Sequence, residues 1–122
     1  MERDRFEALV DTALQDLPQN FKELMENISV MVEDFPSSET MDRLGRKGGL
    51  LLGIYHGVPY KHRGPHYGNL PPDIIVIYQR PIEMICRTED EIRDKVREVV
   101  IHEVGHYFGL SDEEMLKNED PN

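Results

Sequence analysis

From Thr88 to Phe108 the chain carries one glycine, Gly105, and no proline. A T-x-x-E capping box at Thr88 and Glu91 opens this stretch, so the sequence predicts a helix of about twenty residues. A helix of that length must bury one face, and this requirement constrains the fold more than any other feature. Its apolar stripe is Ile92, Val96, Val99, Val100 and Tyr107, and Glu103 falls inside that stripe. A carboxylate on a core-facing arc is costly unless it has a partner or a task.

The helix ends in HEVGHYFGLSD, residues 102–112. His102 and His106 are four apart, share one helix face and can grip a single metal ion, for which zinc is the expected choice. Glu103 is rotated by about 100° from His102 and about 60° from His106, which sets its carboxylate beside the metal, where a general base belongs. Gly109 can take a left-handed conformation, end the helix and swing the chain back, bringing Asp112 in as third ligand and leaving the fourth position to water. Ser111 and Glu114 form a second capping box that starts a short closing helix at that point. His66 is an alternative third ligand, although the helix-turn spacing favours Asp112. The full pattern of two histidines, Glu, Gly and Asp arises in roughly 1 of 10,000 shuffled chains of this composition.

HEVGHYFGLSD resembles the extended zincin motif H-E-x-x-H-x-x-G-x-x-D, and the chain as a whole resembles the small bacterial minimal zincins, or zincin-like metallopeptidases. Further segments carry the resemblance: residues 6–18, 27–34, 51–59 and 70–83, in the same order. It implies a two-layer fold, zinc held by His102, His106 and Asp112, and Glu103 as the catalytic base. Full-size metzincins also place a methionine-containing turn beneath the metal; here Met115 falls within the closing helix, so that support is not expected.

At 122 residues the chain is the size of a single domain, 1–122, able to bury about two-thirds of its unfolded surface. A net charge of −10 argues against nucleic acid as a partner. Arg43, Arg46, Lys47, Lys61 and Arg63 gather in loops and read as solvated charges. The charged start MERDRFEALV has no signal-peptide core and no stretch reaches the length of a membrane span, so the expected compartment is the cytoplasm. The lone cysteine, Cys86, permits no internal disulfide, which suits a reducing environment, and it reads as a small buried hydrophobe.

The rest of the chain reads as an α+β scaffold. Phe6, Leu9, Val10, Ala13, Leu14 and Leu17 recur at helical spacing as far as Pro18, which can open a second helix bearing Phe21, Leu24 and Met25. Ile28, Val30 and Val32 alternate with Ser29, Met31 and Glu33; residues 50–55 and 74–78 are short runs of β-formers, and 82–85 is a candidate fourth strand. One small mixed sheet packed against the N-terminal helix or helical hairpin and the histidine helix satisfies these faces. Residues 34–49 and 56–72 are rich in Gly, Pro and turn formers and read as loops. The second holds His56, Tyr60, His62, Arg63, His66 and Tyr67, candidates for substrate contacts.

The chemistry this favours is hydrolysis of a peptide or unfolded-protein substrate by a zinc-activated water, Glu103 shuttling the proton. A metal-dependent nuclease and a metal-stabilised binding module without turnover are the competing readings. Glu after the first histidine and the acidic composition speak against the nuclease.

Overall fold

In the computed structural model, residues 1–45, 49–57 and 73–119 are described, except the side chains of residues 112, 116, 118 and 119. The elements in chain order are α1 (Arg3–Gln15), α2 (Gln19–Leu24), β1 (Ile28–Glu33), α3 (Ser38–Arg43), β2 (Gly53–His56), β3 (Asp73–Tyr78), α4 (Gln79–Ile85), α5 (Glu89–Tyr107) and α6 (Asp112–Glu119). This is the expected α+β, two-layer arrangement.

The described strands form one mixed sheet in the order β1-β3-β2, with β1 parallel and β2 antiparallel to the central β3. Alternation in β1 sends Ile28, Val30 and Val32 inward and leaves Ser29, Met31 and Glu33 exposed. On β3, Ile75 and Ile77 face the helices without solvent contact. Against them pack Phe6, Leu9, Val10 and Ala13 of α1 and Ile92, Val96, Val99 and Val100 of α5, positions singled out by helical periodicity, together with Val104, while Tyr107 of the expected stripe is half-buried. Leu17 and Phe21 close the core where Pro18 turns the chain between α1 and α2. Each such side chain contributes roughly 1.5–3 kcal/mol through burial.

Thr88 caps α5 as expected: its hydroxyl accepts the Glu91 N–H at 3.1 Å, and the Glu91 carboxylate accepts the Thr88 N–H at 3.1 Å. Arg5 on α1 donates to Glu89 on α5 at 2.8 Å, and that hydrogen bond holds the Glu89 carboxyl below the ordinary carboxylate range. None of the described helices is long and apolar enough to cross a membrane.

Three expectations are corrected. The candidate strand at 82–85 lies in helix α4. Pro81 lacks the N–H that a strand ladder requires but is tolerated in the first turn of a helix. Gln79 and Ile82 are buried at i,i+3 spacing, while Met84 and Ile85 face outward. The segment 34–49, read as loop, contains α3, capped by Ser37, whose hydroxyl accepts the Thr40 N–H at 3.0 Å. This helix buries no residue, so it carries no apolar periodicity to reveal it. Cys86, expected to be buried, is half-buried beside α5, its thiol 3.6 Å from the Glu91 carbonyl, and burial raises its pKa.

Two substitutions separate core from cap. Phe6→Ala should cost about 3–5 kcal/mol, the range for removing a fully buried aromatic, whereas Thr88→Ala should cost about 1 kcal/mol. Urea denaturation followed by circular dichroism gives both values, and equal losses would contradict the packing described.

Candidate metal centre

The motif occupies the last turns of α5 and the turn that follows. Phe108 is the C-cap, and Gly109 adopts φ 76°, the left-handed conformation expected of it. The Gly109 N–H donates to the His106 carbonyl at 3.1 Å and the Leu110 N–H to the Gly105 carbonyl at 2.9 Å, the two bonds of a Schellman motif. Ser111 then caps α6: its hydroxyl accepts the Glu114 N–H at 3.1 Å, and its own N–H reaches the Glu114 carboxylate at 3.2 Å. These bonds hold the Glu114 carboxyl below its ordinary range.

His102 is half-buried and His106 exposed, and their rings lie 5.9 Å apart at 78°. Two imidazoles bound to one zinc at about 2.0–2.1 Å per nitrogen have ring centroids roughly 5–6 Å apart, so the pair fits a shared ion. Asp112 opens α6 directly after the turn. Its carboxylate lies outside the described side chains, as does all of His66. Among the described side chains no three His, Cys, Asp or Glu residues gather as a metal site. Of the loop candidates, His56 ends β2; Tyr60, His62, Arg63 and Tyr67 fall outside the described residues.

Glu103 is half-buried, and its carboxylate accepts the Tyr55 N–H from β2 at 3.2 Å. The strand register explains why that amide is directed at α5. Tyr78 donates to the Leu52 carbonyl at 2.9 Å, so Leu52/Tyr78 and Ile54/Val76 are the hydrogen-bonded pairs of the β2–β3 ladder. Gly53 and Tyr55 occupy the alternate positions, and their N–H and C=O groups project away from β3. Glu103 therefore meets the outer side of β2, an edge strand among the described residues.

Gly53 makes this approach possible. A Cβ there would lie 2.7 Å from Val99 Cγ1 on α5 and 3.0 Å from the Val76 carbonyl oxygen. Beside it, an open groove of about 290 Å³ runs along α5, lined by Leu50, Leu52 and Gly53 on one side and Lys95, Val99, His102 and Glu103 on the other. His102 and Glu103 thus line the same groove as the apolar side chains of Leu50, Leu52 and Val99.

Met115 of α6 packs against Gly105 of α5. It is fully buried, and a Cβ on Gly105 would come within 2.6 Å of its sulfur. The one glycine inside α5 lets the Met115 side chain of α6 pack against the helix backbone at Gly105. Sequence reasoning also passed over Gly53 and Tyr55, placing both in a strand of β-formers. A glycine inside a strand often marks close backbone approach, and that signal was available.

The zincin-like metallopeptidase family model matches residues 25–120. A solved structure, a conserved hypothetical protein from Thermus thermophilus, is similar at 23% identity with a TM-score of 0.57, covering 98% of this chain and 100% of that one; at this identity the likeness shows the fold. No curated protein matches the sequence.

Gly53→Ala should destabilise the protein by about 1–3 kcal/mol, because the Val76 carbonyl is backbone and cannot rotate away. Thermal melting checks this; an unchanged midpoint would mean that β2 does not lie this close to α5.

Proposed function

The chain belongs to the zincin-like metallopeptidase family, and from that premise we propose that it hydrolyses peptide bonds using one zinc ion, with Glu103 as general base. The observation that carries this reading is the placement of Glu103: next to His102, lining the same groove, and accepting the Tyr55 N–H at 3.2 Å. Bound by His102, His106 and Asp112, zinc would supply an acidified water and polarise the substrate carbonyl. Glu103 accepts the proton of the attacking water and returns it to the leaving nitrogen. Its hydrogen bond from β2 anchors one carboxylate oxygen on the strand side.

The outer edge of β2 supports an extended peptide as substrate. The N–H and C=O of Gly53 project toward the groove, and an added strand could pair with them while its side chains meet Leu50, Leu52 and Val99. Backbone pairing of this kind needs an extended segment, which short or unfolded peptides offer and folded proteins rarely do. As compartment we infer the cytoplasm, supported by a composition with a single cysteine.

Removal of zinc by a chelator should abolish hydrolysis, and added zinc should restore it. His102→Ala and His106→Ala should each lose metal by elemental analysis, and Asp112→Ala should weaken its binding by about 10- to 100-fold or more. Glu103→Gln should retain zinc and lose cleavage of a peptide library read by mass spectrometry. Identical product profiles for wild type and Glu103→Gln would remove the peptidase reading and leave a metal-binding module.

A further inference from the structure

We propose that Tyr55 and Asp73 form a positioning pair that aims the Tyr55 N–H at Glu103, an inference that rests on the reading of Glu103 as the base. Three contacts fix Tyr55. Its phenol donates to the Asp73 carboxylate at 2.7 Å. Its ring stacks on Tyr107 of α5, with centroids 4.1 Å apart and an interplanar angle of 21°. The backbone of Gly57 crosses directly over the pair: a Cβ there would lie 2.5 Å from Tyr55 Cε1 and 3.1 Å from Asp73 Cγ.

The register explains how these contacts reach the base. Tyr55 pairs with Ile75 on β3, and Asp73 stands two residues before Ile75 on the same face, making Tyr55 and Asp73 diagonal neighbours. Tyr107 follows Glu103 by four residues on α5, so it stands one turn beyond it on the same side of the helix. One side chain is therefore tied to β3 through its hydroxyl and to α5 through its ring, while its own backbone N–H holds the carboxylate between those attachments. Asp73 is a buried residue, only 7% exposed, as suits a fixed acceptor. β2 has four residues, too few for its own ladder to hold the end of the strand to sub-ångström tolerance. The Asp73 hydrogen bond and the Tyr107 stack supply that constraint. A displacement of about 1 Å in a reacting group can cost on the order of 100-fold in rate, so the position of the amide that meets the base matters to the reaction.

The pair is tested by amide hydrogen exchange in the zinc-free protein, read by NMR at Tyr55, together with steady-state kinetics of the zinc-loaded protein. Exchange at the Tyr55 N–H should be slow in wild type and faster by about tenfold in Glu103→Ala, which removes the acceptor. Tyr55→Phe keeps the ring and removes the hydroxyl. It should speed exchange at the same amide by a comparable factor and lower kcat by about tenfold, with KM and zinc content unchanged. Asp73→Asn retains an acceptor for the phenol and should keep both slow exchange and kcat, whereas Asp73→Ala should behave like Tyr55→Phe. Wild-type exchange at residue 55 in Tyr55→Phe would overturn the pair, as would a loss confined to KM or to bound zinc. If wild type shows no hydrolysis that depends on Glu103, the peptidase reading fails on its own, and the exchange measurement still decides whether Tyr55 and Asp73 aim the amide.

Discussion

The approach of β2 to α5 sets the rest of the site. At Gly53 the strand lies so near Val99 that no side chain fits between them, and this closeness brings the next outward-facing amide, that of Tyr55, within hydrogen-bonding distance of Glu103. The carboxylate on the buried side of α5 thereby gains a partner, which offsets part of the cost of removing it from water. Antiparallel pairing with β3 makes the geometry dependable, since it fixes which amides of β2 face the helix. The outer edge of the strand, His102 and Glu103 then line one groove.

A second constraint operates at the other end of the motif. The chain must leave α5 and return within a few residues if Asp112 is to approach the histidines. The Schellman bonds at Gly109 and Leu110 make that turn, and the Ser111 capping box starts α6 immediately afterwards. Burial of Met115 against Gly105 then fastens α6 to α5. Gly105 costs roughly 1 kcal/mol of helix propensity relative to alanine; the methionine occupies the space that a side chain there would take. The two glycines serve different ends, one permitting a backbone angle and the other a contact.

Much of this was legible in the residues. Capping boxes at Thr88 and Ser111, the apolar periodicity of α1 and α5, the alternation in β1 and the role of Gly109 all express local rules, and local rules are visible in a single sequence. The misreadings arose where tertiary surroundings decide. Residues 82–85 are apolar and β-branched enough for a strand, yet Pro81 and one-sided burial make them helical. The helix α3 buries nothing and so has no pattern to detect. At the site, the spacing of His102, Glu103, His106 and Asp112 specifies a chemistry, but nothing local to Tyr55 shows that its amide would meet Glu103 across 48 positions of chain. That contact depends on strand order and register, which one sequence does not display.

The central claim is that His102, His106 and Asp112 gather around one zinc ion with an open position for water. X-ray absorption at the zinc edge of the metal-loaded protein tests it most directly. The account predicts a four-coordinate ion with two imidazoles at about 2.0–2.1 Å, the remaining ligands being oxygen, and no sulfur. In Asp112→Ala the imidazole signal should persist while one oxygen donor is exchanged. A spectrum with three or more imidazoles, or with a sulfur ligand near 2.3 Å, would contradict the assignment and move the metal away from the turn after α5.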